Sequence, residues 1–304
     1  MQRFAVSQNS FDIASIHVGG QLGITPTVLI GSLFYKGHKV VTNSKTGQIK
    51  SNRVRELISL QDQIAQKTGN PCMLDVVGDT PEAMKRYIDF VAEATEAPFL
   101  VDSASATTRI EAIRYSAEIG LLERVVYNSL MPSYRPEELA AIQEVKLEQV
   151  VLLAFDKQLS TTKGRISAIT KKEGTGLLQI AQQSGISKPL IDTCVLDIPS
   201  LGMACRAIYE LKDQFGLVCG CGAHNAVETW RGLTTKFRGG LREAGVVSSA
   251  VLAATSGADF VLYGPIEHAE AVFPMVAMVD AAWGQVAFEE NQKIGPNHPL
   301  FKIA

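Results

Sequence analysis

The chain has 304 residues, 46% hydrophobic and 20% charged, the make-up of a globular protein with one large core or two modest ones rather than a fibre or a disordered tail. A net charge of -2 and a pI near 6.2 leave no Lys/Arg surplus for neutralising phosphates, so nucleic acid is excluded as a partner. Five cysteines, an odd count with no C-x-x-C pair, exclude a disulfide framework and fit reduced thiols.

Residues 1–15 lack the cationic start and continuous apolar segment of a signal peptide, so a cytoplasmic location is expected. The stretch from His17 to Pro26 is loop-like, 27–35 reads as a buried strand, and Lys45-Thr46-Gly47 is turn chemistry. Helical spacing of Val54, Leu57, Ile58 and Ile64 predicts a helix over 53–67, stopped by Gly69, Asn70 and Pro71. A short apolar run at 72–77 precedes a helix opened by Pro81.

The same unit then repeats. Strands are predicted at 99–102, 125–128, 150–156, 191–197, 217–221 and 260–263. Helices are predicted at 107–119, from Pro136, at 177–183, 201–215 and 225–237, and from Ala269 to about Glu289, with 158–176 irregular. Even the apolar stretch 246–262 is broken by Ser248, Ser249, Thr255, Ser256, Gly257 and Asp259, short of the roughly 18 uninterrupted apolar residues of a membrane span.

Eight strand–helix units predict an α/β (β/α)8 TIM barrel, a single domain over 1–304 with segment 1–26 covering the barrel. A doubly wound open sheet uses the same local pattern but carries a glycine fingerprint after its first strand, where this chain has Lys36-Gly37-His38.

In parallel barrels the active site lies where strands end, so the strand-end residues are the candidates. They are Asp75, Asp102, Asn128, Asp156, Asp197 and Asn225, four carboxylates and two amides around one mouth. Any one of them could simply cap the next helix. Together they could bind a metal through oxygen. They could equally bind a heteroaromatic ring, because a carboxylate accepts two parallel N–H bonds and an amide serves mixed donor and acceptor positions.

The apolar strand 217–221 runs out through Gly220-Cys221-Gly222-Ala223 to present His224 and Asn225, and Asn225 is the candidate closest to chemistry. Cys219 and Cys221 share a face of that strand, and with His224 they form a conceivable zinc set, although the spacing is unusual and small buried residues explain it equally. His17, His38, His268 and His298 stand singly and read as loop or surface residues. Residues 257–267 lie where many barrels bind phosphate, but that loop has no Lys or Arg.

Gly19-Gly20-Gln21, Pro26-Thr27-Val28-Leu29-Ile30-Gly31-Ser32, Phe34-Tyr35-Lys36-Gly37-His38-Lys39 and Tyr263-Gly264-Pro265-Ile266-Glu267 resemble the H-subunit family of tetrahydromethanopterin S-methyltransferase. They are equally similar to its stand-alone bacterial relatives, the methylcorrinoid (methylcobalamin):tetrahydrofolate methyltransferases of glycine betaine demethylation. The wider group includes corrinoid iron–sulfur protein methyltransferases and dihydropteroate synthases, so the resemblance implies a pterin-binding barrel. It places the family's strand-three acid on Asp102, its strand-four amide on Asn128, its strand-six acid on Asp197 and its strand-seven asparagine on Asn225, with Asp75 matching on strand two.

Strand seven lacks the Lys of dihydropteroate synthases, which argues against that chemistry. The activity implied is methyl transfer from a methyl-Co(III) corrinoid to N5 of tetrahydrofolate or a related tetrahydropterin. Asn225 and Asp197 would be catalytic, and Asp75, Asp102, Asn128, Asp197 and Asn225 would bind the pterin. The corrinoid would be carried by a partner protein, no tightly bound metal is expected, and a homodimer is the expected assembly. Rivals are a zinc-dependent corrinoid:thiol methyltransferase and a non-catalytic pterin-binding assembly component.

Overall fold

The computed structural model describes residues 4–155, 160–171, 176–237 and 240–304. The chain opens with a hairpin, β1 (Ser10–Ile13) and β2 (Ile16–Gly19), then enters β3 (Val28–Leu33). A second hairpin, β4 (Val41–Asn43) and β5 (Gln48–Ile49), closes around the turn at Lys45 and Gly47 and leads to α1 (Ser51–Thr68). Next come β6 (Cys72–Val77), α2 (Pro81–Ala94), β7 (Phe99–Asp102), α3 (Ala106–Glu118), β8 (Val125–Leu130), α4 (Pro136–Val145), β9 (Gln149–Leu153), α5 (Thr162–Thr170) and α6 (Leu177–Gln183). The last third holds β10 (Lys188–Asp192), α7 (Ile198–Phe215), β11 (Cys219–Cys221), α8 (Asn225–Glu228), α9 (Gly232–Thr235), α10 (Leu241–Thr255), β12 (Phe260–Pro265), α11 (Ala269–Glu289) and α12 (Pro299–Lys302).

β3, β6, β7, β8, β9, β10, β11 and β12 pair in parallel, in chain order, and β12 returns to β3 to close the barrel. This is the expected TIM barrel, with helices outside. Alternation along each strand sorts two cores. Val28, Ile30, Met73, Leu100, Val126, Val151, Leu190 and Leu262 fill the barrel interior, while Leu29, Leu33, Leu74, Val76 and Val101 pack outward under the helices. The first hairpin joins the inner core: Ile13 and Val18 are fully buried against those interior residues and close the bottom of the barrel.

Several local expectations are corrected. The stretch 17–26 is loop apart from 17–19, which belong to a hairpin, and 160–171, expected to be irregular, contains α5. The continuous helix expected at 225–237 is two single turns, α8 and α9, and the full helix of that unit is α10. Strand six does not reach Asp197. It ends at Asp192, because Cys194 adopts a positive φ of 58° that no extended strand accommodates. Asp197 instead caps α7: its carboxylate accepts the Ser200 N–H at 2.9 Å.

Residues 266–289, the turn before α11 together with that helix, are long and apolar enough by length and composition to cross a membrane. In the fold α11 is the outer helix of the eighth unit, burying Val272, Phe273, Val276 and Ala277.

Candidate active site

The alternation that stacks the apolar inner layer also builds the site. Two residues beyond Ile30, Met73, Leu100, Val126 and Leu190 stand Ser32, Asp75, Asp102, Asn128 and Asp192, all facing the same interior one layer higher. They line a cavity of about 1100 Å³ at the C-terminal mouth of the barrel, with Leu153, Gly222 and Gly264 from the remaining strand ends. Polar residues sit there because the layer below already fills the barrel, leaving this one open to a ligand.

Asp75 accepts hydrogen bonds from the Ser32 hydroxyl at 2.9 Å and the Asn128 amide at 3.3 Å. Burial still pushes its carboxyl up to about 6, against the lowering effect of those two bonds. Asp192 accepts the Cys194 N–H at 2.7 Å, and burial raises its carboxyl to about 6 as well, with the Asp75 charge adding to the rise. Asp102 is held well above the usual carboxylate range by burial first and by Asp75 second, while Arg109 pulls the other way. Three carboxyls facing one cavity thus destabilise each other's charged forms and await donors.

Arg109 is held in place by a buried network. Its guanidinium donates to Glu138 at 2.6 Å and to the Ser103 carbonyl. Glu138 also accepts the Tyr127 hydroxyl at 2.5 Å and the Arg135 N–H at 2.8 Å.

Asn225 opens α8 at the edge of the cavity, half-buried. A Cβ on Gly222 would lie 3.1 Å from its amide nitrogen, so glycine leaves that carboxamide room to turn. Among the described residues no partner holds the Asn225 side chain, and its full donor and acceptor capacity faces the cavity. Neighbouring His224 is half-buried, directs Nδ1 at the Leu262 carbonyl at 3.1 Å, and has its pKa lowered by desolvation.

The structure therefore brings together Asp75, Asp102, Asn128 and Asn225. Asp156 lies outside the described residues. Asp197 is exposed and does not line the cavity; Asp192, absent from the residues expected on sequence, stands in its place. The missed signal was alternation, since Leu190 and Asp192 repeat the spacing of Met73 and Asp75.

Cys219 and Cys221 do share a face, but it is the outward one, in the core beneath the helices, and burial raises both thiols. No group of three or more His, Cys, Asp or Glu side chains arranged to hold a metal occurs among the described residues. His38 and His298, expected as loop or surface residues, lie in loops and are buried there at 3% and 2% exposure.

The family described as Tetrahydromethanopterin S-methyltransferase MtrH subunit matches residues 6–295. The chain is 38% identical over 305 residues to the tetrahydromethanopterin S-methyltransferase H subunit of Methanopyrus kandleri, covering 95% of this chain and 93% of that one. It is 36% identical over 306 residues, 99% of each chain, to the H subunit of the putative methyltransferase mtx of Methanosarcina barkeri. Among solved structures it resembles Yersinia pestis dihydropteroate synthase with a pterine-sulfa conjugate (TM-score 0.62, 15% identity, 90% of this chain and 100% of that one). The dihydropteroate synthase of Vibrio fischeri is a further neighbour (TM-score 0.55, 15% identity, 94% and 100%), and both likenesses show the barrel fold. On the match over nearly its whole length, the chain belongs to the MtrH family of methyltransferases.

Proposed function

We propose that the protein moves a methyl group from a methyl-Co(III) corrinoid, carried by a partner protein, to N5 of a tetrahydropterin bound in the barrel mouth. Tetrahydrofolate and tetrahydromethanopterin are the two candidate carriers. The observation that carries this reading is the set of buried Asp75, Asn128 and Asp192 with half-buried Asp102, beneath the free carboxamide of Asn225. An aminopyrimidinone edge offers adjacent N–H donors and a carbonyl. The carboxylates accept the donors, the Asn128 amide meets the carbonyl, and charge assistance makes such paired bonds strong. Asp197 retains only its capping role here, and Asp192 takes the strand-six position.

In the reaction the N5 lone pair attacks the methyl carbon, the Co–C bonding pair stays with the metal as Co(I), and the N5 proton leaves to solvent. Asn225 accepts from N5–H before transfer and donates to a lone pair in the reverse direction, serving both protonation states without charge of its own. Fixing the pterin in line with the incoming methyl is worth several kcal/mol by positioning alone. The protein is further proposed to be cytoplasmic and a homodimer, with Leu252 of α10 and Met275 and Met278 of α11, all exposed, on the outer face available for pairing.

The test is an anaerobic spectral assay with methylcobalamin and each tetrahydropterin. Loss of methyl-Co(III) matched by N5-methyl product is expected. Pterin binding without turnover, even with the partner corrinoid protein present, would leave the reading as a non-catalytic assembly component standing instead.

A further inference from the structure

The cations at the mouth are not used by the ring-binding set. Lys36 and Lys39 are exposed at the cavity rim, and neither has a carboxylate partner among the described residues. They flank His38, which is 3% exposed. Phe34 N–H donates to His38 Nδ1 at 3.0 Å, which fixes the ring proton on Nε2, and Nε2 donates to Glu267 at 3.0 Å. The Tyr35 ring lies parallel to the imidazole, centroids 4.5 Å apart. Gly37, with φ +87° and open space where a Cβ would point, lets the chain turn over this anchor. Two unpaired ammonium groups are thus presented by a turn fastened at its centre.

We propose that the turn 35–39 is the subsite for the anionic end of the substrate's C6 side chain, with Lys36 and Lys39 as its ligands and His38–Glu267 as the positioning pair. This rests on the cavity being a tetrahydropterin site. C6 is bonded to N5. With the pyrimidine edge on Asp75, Asp102, Asn128 and Asp192 and with N5 at Asn225 beyond β11, the C6 substituent leaves along the β11–β12–β3 arc of the rim. Lys36 and Lys39 follow β3 on that arc. Arg242 lines it too, but Glu228 holds its guanidinium. The side chain of tetrahydrofolate ends in carboxylates and that of tetrahydromethanopterin carries phosphate, and an ammonium, as a point charge without fork geometry, serves either anion.

The experiment measures anaerobic dissociation constants of the purified protein for 6-methyltetrahydropterin, which lacks the tail, and for tetrahydrofolate and tetrahydromethanopterin. Wild type is compared with the double variants K36A/K39A and K36R/K39R. Wild type is expected to prefer tailed over tailless pterin by about 10- to 100-fold, a preference that weakens with salt. In K36A/K39A it should fall to within about threefold, and K36R/K39R should restore it.

Loss confined to tetrahydromethanopterin identifies phosphate as the bound anion, and loss confined to tetrahydrofolate identifies carboxylate. Glu267→Ala should raise KM for the tailed substrate with kcat kept, and Glu267→Gln, which still accepts from Nε2–H, should reverse that. An equal preference in wild type and K36A/K39A overturns the subsite while the pterin site stands. Failure of wild type to bind any of the three pterins removes both together.

Discussion

Asp75 and Asp192 show how a single side chain couples binding to pH. Below about pH 6 both carry protons and neither can accept a pair of N–H bonds; above it they can. Pterin affinity is therefore expected to rise as pH increases through 6 and then level, which calorimetric titrations between pH 5 and 8 would check. Stability runs the opposite way. A folded pKa above the unfolded carboxyl value means stability is full below that lower value, near 3.9, and is lost as pH rises through 6. Asp75→Asn should thus raise the melting temperature at pH 8, by up to about 3 kcal/mol of stability, yet not at pH 4, while weakening pterin binding at least about tenfold. A variant that gains no stability at pH 8 would show that Asp75 is not a buried charge. Asn225→Ala should lower turnover by about 10²-fold with pterin affinity changed much less, read from kcat and a separate binding titration.

At the scale of the element, β10 decides the most. A strand extended to 197, as the apolar run Cys194-Val195-Leu196 suggests, brings Asp197 to the mouth, whereas the strand ends at Asp192 and it is Asp192 that lines the cavity. The backbone turns out of the sheet at Cys194, and the capping box at Asp197 and Ser200 starts α7. Asp197→Ala is expected to cost about 1 kcal/mol of stability by chemical denaturation and to leave pterin affinity where it was. A tenfold loss of affinity would return Asp197 to the site. Helix α10 has little signature in the sequence because its small residues, Gly245, Ser248, Ser249 and four alanines, carry little periodic contrast.

For the whole molecule, the barrel divides labour by depth. Its lower interior is apolar and closed by the first hairpin, and its upper interior is polar and open. Val18→Ala should open a cavity at the sealed end and cost about 2 kcal/mol, measured by denaturant midpoint, with pterin affinity within about twofold of wild type. Coupling of that change to affinity would mean that the plug and the site are not independent.

Eight recurring strand–helix units and the acids and amides after them were legible without coordinates, because strand period, helix period and turn chemistry are local properties of the chain. That is why Asp75, Asp102, Asn128 and Asn225 could be picked out in order. Which residues face the interior depends on strand register. Which histidines are buried, as His38 is between Phe34 and Glu267, depends on contacts between residues up to 229 positions apart. Those properties belong to barrel closure: a one-residue difference in where a strand ends, or a backbone that turns out at Cys194, moves a carboxylate from the cavity to the surface, and only the packed tertiary structure fixes that choice.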